Sequence, residues 1–247
     1  MKRVSILFLP LALWLGLMPG QALAFRFGPI IEYFAPYGSD SKKTYRAENE
    51  SDAPIAVQIS LKRRQMALDG SETLSDAEDD FVVFPPQFII GPGQIRSVRI
   101  QWLGDPQPET ELAYRIVAEQ LPVDLQPQDG PSLQFLIRYM ASLYIVPPGA
   151  RSDIALLEAE AVQDAAGLRR LALTLENRGN THAPLRAPEL SIISKRDRTR
   201  TELTGEALKG LRNENLLAKT RRLFLLPWPQ EVTFGPVDVE FDFLAIR

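Results

Sequence analysis

Large apolar side chains in this chain recur at every second residue. Ile55, Val57, Ile59 and Leu61 point one way with Ala56, Gln58 and Ser60 between them. Val98, Ile100 and Trp102 alternate with Arg99 and Gln101, and Leu112, Tyr114, Ile116 and Ala118 alternate with residues that include Arg115 and Glu119. Successive side chains of a strand point to opposite faces, so runs of this kind are strands with one face buried. Turn chemistry punctuates them at Pro36-Tyr37-Gly38-Ser39, Asp69-Gly70-Ser71, Gly91-Pro92-Gly93 and Gly104-Asp105-Pro106. Strands spaced this closely, with no convincing helical period between them, predict an all-β chain of antiparallel sandwich type. Glu206–Asn215 is the single candidate helix, and Gly205 and Gly210 weaken it.

The ends bound the destination. Lys2 and Arg3 precede an apolar run from Val4 to Met18, and Ala22-Leu23-Ala24 has the small-residue pattern of a cleavage site. Residues 1–24 are therefore expected to be a signal peptide, with a retained anchor as the alternative. Pro10 interrupts the run, which is near the lower limit for crossing a bilayer. No later stretch approaches that length, so no membrane insertion is expected after cleavage. The 223 residues from Phe25 onward suit one large or two medium domains, either able to bury a core unaided. Pro147-Pro148-Gly149 stops sheet pairing and stiffens a joint, which predicts domains over 25–148 and 149–247. Strands restart in the second at Ile154–Val162, Arg170–Asn177, Glu189–Ser194 and Val237–Ile246.

Much chemistry lacks its parts. There is no cysteine, which excludes disulfides and thiolate sites. The one histidine, His182, beside the turn residues Asn180 and Thr181, reads as a surface or cap residue. Cys-His pairs and zinc sites lack Cys and a second His, and no motif joins His182 to a nucleophile, so no catalytic residue, metal or cofactor is assigned. Gly91-Pro92-Gly93 is too short for a phosphate loop, and its proline removes a donor. Asp76, Glu78, Asp79 and Asp80 lack calcium-loop spacing and read as a solvated turn. Without Lys2 and Arg3 the chain carries 26 basic and 31 acidic groups, a balance that argues against nucleic acid as a partner. Arg196, Arg198, Arg200, Arg221 and Arg222 read as a solvated face.

The stretch from Leu133 to Tyr139 carries Leu133, Phe135, Ile137 and Tyr139 on one face, with Arg138 on the other. Periodicity alone leaves two readings: an ordinary core-facing strand, or a strand that can be lent to another polypeptide.

Several segments, in order, resemble the PapD-like periplasmic chaperones of the chaperone–usher pilus pathway. They are Phe84-Pro85-Pro86-Gln87-Phe88 with Gly91-Pro92-Gly93-Gln94 and Val98-Arg99-Ile100; Glu111-Leu112-Ala113-Tyr114-Arg115 running to Gln120-Leu121-Pro122; Leu143-Tyr144-Ile145-Val146-Pro147; and Leu175-Glu176-Asn177 with Thr181-His182-Ala183-Pro184-Leu185. The resemblance implies two immunoglobulin-like β-sandwich domains in tandem, no enzymatic activity and a periplasmic location. It also implies that the strand around 132–142 completes the sandwich of a pilus or fimbrial subunit, which is then delivered to an outer-membrane usher. A surface-displayed immunoglobulin-like adhesive or structural protein is the alternative.

The chain departs from the family where the subunit's terminal carboxylate is held. The family's arginine and lysine fall near Ile31–Tyr33 and at Ser142, so neither cation is present. Arg138 is the first candidate to replace them, with Arg26 and Arg115 behind it. Of the family's acid–arginine pair between domains, Glu111 remains and Val146 occupies the arginine position, with Arg151 as the candidate substitute.

Overall fold

The computed structural model describes residues 25–123 and 135–244. The first part of the chain forms ten strands: β1 (Phe25–Gly28), β2 (Ile31–Phe34), β3 (Lys42–Asn49), β4 (Ile55–Met66), β5 (Glu72–Asp76), β6 (Phe81–Phe84), β7 (Gln87–Ile90), β8 (Ile95–Trp102), β9 (Leu112–Gln120) and β10 (Arg138–Ile145). One sheet runs β1-β3-β8-β6 and the other β2-β10-β9-β4-β5, with β7 also on β4. The alternating residues named from the sequence meet between these sheets. Val57, Ile59, Leu61, Val98, Ile100, Trp102, Tyr114 and Ile116 join Phe25, Phe34, Tyr45 and Phe81 in one buried cluster. Aromatic packing is prominent: Phe81 meets Trp102 and Tyr114 edge-on at 5.1 and 4.9 Å. Burial and a hydrogen bond to Asp80 both push the Tyr114 hydroxyl above the ordinary phenol range.

The second part comprises β11 (Ile154–Gln163), β12 (Arg169–Asn177), β13 (Ala183–Pro184), β14 (Arg186–Ser194), β15 (Arg200–Leu203), β16 (Asn215–Leu216), β17 (Arg221–Pro227) and β18 (Val237–Leu244). Sheets β11-β12-β17 and β15-β14-β18, with the short pair β13-β16, enclose a separate cluster in which leucine dominates. The candidate helix at Glu206–Asn215 is not formed. Gly205–Leu208 makes a single 3-10 turn that buries Leu208, and Asn213 at φ 64° turns the chain away.

Each part uses a buried asparagine in the same way at the end of a strand. Asn49 donates its amide to the carbonyls of Ala53 and Ile90, and its oxygen accepts from the Ser51 N–H. Asn177 donates to Thr181 and Leu216 and accepts from Gly179. One side chain thus satisfies backbone groups on separate segments that would otherwise be buried unpaired.

Among the described residues all strand pairs are antiparallel except one. β2 lies parallel to β10, with Ile31 opposite Ser142 and Phe34 opposite Ile145. The chain reaches that position by changing sheets, since β1 pairs with β3 and β2 with β10. This switch determines what part of β10 remains uncovered.

Candidate functional site

β10 is an edge strand for half its length. From Ser142 onward it is held on one side by β9 and on the other by β2, beginning with the Ser142 N–H to Ile30 carbonyl bond at 2.7 Å. Before Ser142 only β9 flanks it: Arg138 opposes Glu119 and Ala141 opposes Ile116. The Gln120 N–H bond to the Ile137 carbonyl, 2.9 Å, carries the ladder one step further back. Among the described residues no strand covers the other side of 135–141. Strand-edge groups left open this way are a template for another chain.

The apolar face read from the sequence is divided by this geometry. Leu133 lies outside the described residues. Phe135 stands 77% exposed, ahead of the strand's first residue. Ile137 and Tyr139 instead lean on the protein's own core. The Tyr139 ring meets Phe25 edge-on at 5.4 Å, and its hydroxyl donates to the Phe25 carbonyl at 2.6 Å. Of the two readings left open by periodicity, Ile137 and Tyr139 follow the core-facing one and Phe135 does not. The face is the right one, but β1 closes over it from Ile137 inward, and strand geometry begins only at Arg138.

Arg138 points to the opposite, outer face, 54% exposed, with its Nε 3.5 Å from Glu119 across the ladder. Arg26 is on the other sheet and pairs with Glu50 at 2.8 Å. Arg115 is differently placed, directly opposite Ser142 on the outer face. Its Nη1 donates to Ser142 Oγ at 2.5 Å, while Nε and Nη2 grip Glu72 of β5 at 3.0 and 2.7 Å. Glu72 also receives Arg64 of β4, whose Nη2 is 2.5 Å away. Burial raises the Glu72 pKa, but the two guanidinium groups more than reverse this and hold it below the usual carboxylate range. Two arginines around one carboxylate leave a net positive charge beside Ser142. Arg64 was not singled out in the sequence. Its signal was there: Lys62 and Arg64 continue the polar face of Gln58 and Ser60 along β4.

The outer face of this sheet is partly covered by the second part of the molecule. Tyr144 points to that face yet is only 3% exposed. Its ring stacks on His182 at 4.0 Å, and its hydroxyl accepts from Arg64 Nη1 at 3.1 Å and from Asn215 Nδ2 at 2.9 Å. His182 is accordingly no surface cap. Its Nδ1 is 2.9 Å from both oxygens of Glu111, whose side chain is 1% exposed and also receives the Thr181 hydroxyl. Arg151 does not take the missing arginine's role. It contributes its backbone N–H to Asn180 Oδ1, and the Asn180 carbonyl accepts from the Glu111 N–H. The motif containing Thr181 and His182 was visible in the sequence, but its contact with Glu111 depends on how two distant turns meet.

A third contact joins the turn after β4 to the edge of β17. The Leu223 N–H donates to the Leu68 carbonyl at 2.6 Å, and the Arg222 guanidinium lies over Gly70. Gly70 has φ +83°, a backbone conformation that favours glycine, and a Cβ there would push the Arg222 guanidinium aside. Between these contacts is a cleft of about 390 Å³ lined by Arg64, Met66, Glu111, Leu112, Leu217 and Thr220, among others. Among the described residues no group of three or more His, Asp or Glu could hold a metal ion.

Comparison with known proteins agrees with this geometry. Residues 36–151 match the family model described as pili and flagellar-assembly chaperone, PapD N-terminal domain. A search of the curated proteins gives no match. Among solved structures, the class 5 fimbriae chaperone CfaA is 16% identical, with 88% of this chain and 99% of that one covered at a TM-score of 0.56. The SafB chaperone, solved with the Salmonella enterica SafA pilin, is 18% identical over 90% and 97% of the two chains, also at 0.56. A chain from the chaperone–tip adhesin complex of CFA/I fimbriae is 16% identical over 89% and 97%, at 0.55. At such identities the structures speak for the fold, two immunoglobulin-like sandwiches in tandem.

Proposed function

From the premise that this chain is a divergent PapD-like pilus-assembly chaperone, we propose that it binds pilus subunits along the uncovered edge of β10. The segment around 132–142 supplies the strand that an incomplete subunit sandwich lacks, and the subunit is then passed to an outer-membrane usher. Residues 1–24 direct the chain to the periplasm, 25–148 bind the subunit, and 149–247 form the second domain. The open ladder beside residues 135–141, with Phe135 exposed at its head, is the observation that carries this reading. Backbone bonds along such an edge accept varied partner sequences, while alternate side chains fill pockets. Burying a phenylalanine contributes about 1.5–3 kcal/mol of transfer free energy, part of which is offset on association.

The subunit's terminal carboxylate is held by Arg115 together with Arg64, the pair nearest the missing lysine position. Arg138, four residues further out on β10, contributes long-range attraction. A planar guanidinium suits a carboxylate because it offers parallel donors.

Tagged protein recovered from the periplasm of its own host tests the proposal, wild type against Phe135→Asp. Small exported subunits at about one per chaperone, lost from a variant with an unchanged melting curve, are the expected result. An unchanged partner set from the folded variant overturns it and favours the adhesive alternative.

A further inference from the structure

Tyr144 is where the cation pair and the second domain meet. Its hydroxyl accepts from Arg64 Nη1 on one side and from Asn215 Nδ2 on the other, at 3.1 and 2.9 Å. Asn215 lies at the start of β16, and its own carbonyl receives Arg222 Nη1 at 3.0 Å. The ring of Tyr144 is held flat against His182, at 4.0 Å and 12°, so the hydroxyl has little freedom to move. Arg64 is thereby fixed at two corners, Nη1 on Tyr144 and Nη2 on Glu72. The third, Nε, is buried and has no partner. Its side chain is only 5% exposed. A buried N–H without an acceptor is uncommon in folded proteins and calls for one.

We propose that Asn215 is a positioning residue for carboxylate capture: from the second domain, through Tyr144, it holds the Arg64 guanidinium, and with it the Glu72 that Arg115 also grips, in the geometry that a terminal carboxylate meets beside Arg115. This rests on the carboxylate reading of Arg115 and Arg64 given above. Asn215 does not touch the carboxylate. It removes the rotamer freedom that an arginine on a sheet face would otherwise retain, and a donor already oriented loses less on binding. The second domain on this account helps to build the binding site of the first.

The probe is the peptide acetyl-Val-Thr-Val-Thr-Val-Thr, made once with a free C-terminal carboxylate and once as the C-terminal amide, titrated into the full-length protein. Wild type is expected to prefer the acid by on the order of fivefold, the scale of one charge-assisted bond. Asn215→Ala and Tyr144→Phe, the latter keeping the stacked ring, should each bring that preference to within about twofold while the amide binds as to wild type. Matching circular dichroism and melting curves check that both variants fold. If both variants keep the wild-type preference, or lose affinity equally for acid and amide, Asn215 is only a structural contact and the proposal falls. If wild type itself does not distinguish acid from amide, the carboxylate reading fails first and takes this role with it.

Discussion

The two halves of the β10 region share a face pattern and little else. From Ser142 to Ile145 the strand is paired on both sides, and Leu143 and Ile145 are fully buried. From Ile137 to Ala141 it is paired on one side only, and Phe135 and Leu136 ahead of it and Met140 within it are exposed. The inner half belongs to the protein's own sandwich, whereas the outer half leaves the same backbone groups open on one side. The difference comes from where β1 gives way to β2, not from the composition of β10. An apolar strand is lent or kept according to what its neighbours cover.

Stability measurements should separate the halves most strongly. Leu143→Ala is expected to destabilise the first domain by about 2–5 kcal/mol in urea unfolding, whereas Phe135→Ala stays within about 0.5. Comparable losses for the two would break the distinction. Hydrogen exchange should sharpen it residue by residue. The Ser142 N–H faces β2, so by alternation those of Arg138 and Met140 face the open edge. Met140 should exchange faster than Tyr144 by on the order of a hundredfold or more, and subunit binding should remove the gap. At the boundary, Tyr139→Phe loses the bond to the Phe25 carbonyl and should cost about 1 kcal/mol without altering the exposed half.

The smallest effect is acidic. Glu72 titrates below its unfolded value, so its contribution is complete above that value and is lost as pH falls through the depressed one. Glu72→Gln should therefore lower stability at neutral pH and converge on wild type as the pH falls, which flattens the acid limb, as thermal melts across pH would check. A variant as acid-sensitive as wild type would mean that Glu72 does not hold Arg64 and Arg115 in solution.

Much of this division was legible in the sequence, and the limits have physical causes. Alternation assigned Ile137 and Tyr139 to the right face, because strand periodicity is local. It could not say that Phe25 would close over them, since β1 lies over a hundred residues earlier. Glu111 was legible as an interdomain residue, but its partner was not. His182 looked like a cap because a turn histidine is usually solvated, and only the approach of Glu111 and Tyr144 from the first domain buries it. Arg64 was hidden for a related reason. A cation on an outer sheet face reads as solvated until another domain is known to cover that face.

The contacts between the domains have a mechanical consequence. A single contact would let one domain swing about it like a door. Here the fastenings are spread across the sheet: Tyr144 on β10, Glu111 at the head of β9, and Leu68 at the turn after β4. Rotation about any one of them stretches the other two, so a torque applied to one domain reaches the other with little lost motion.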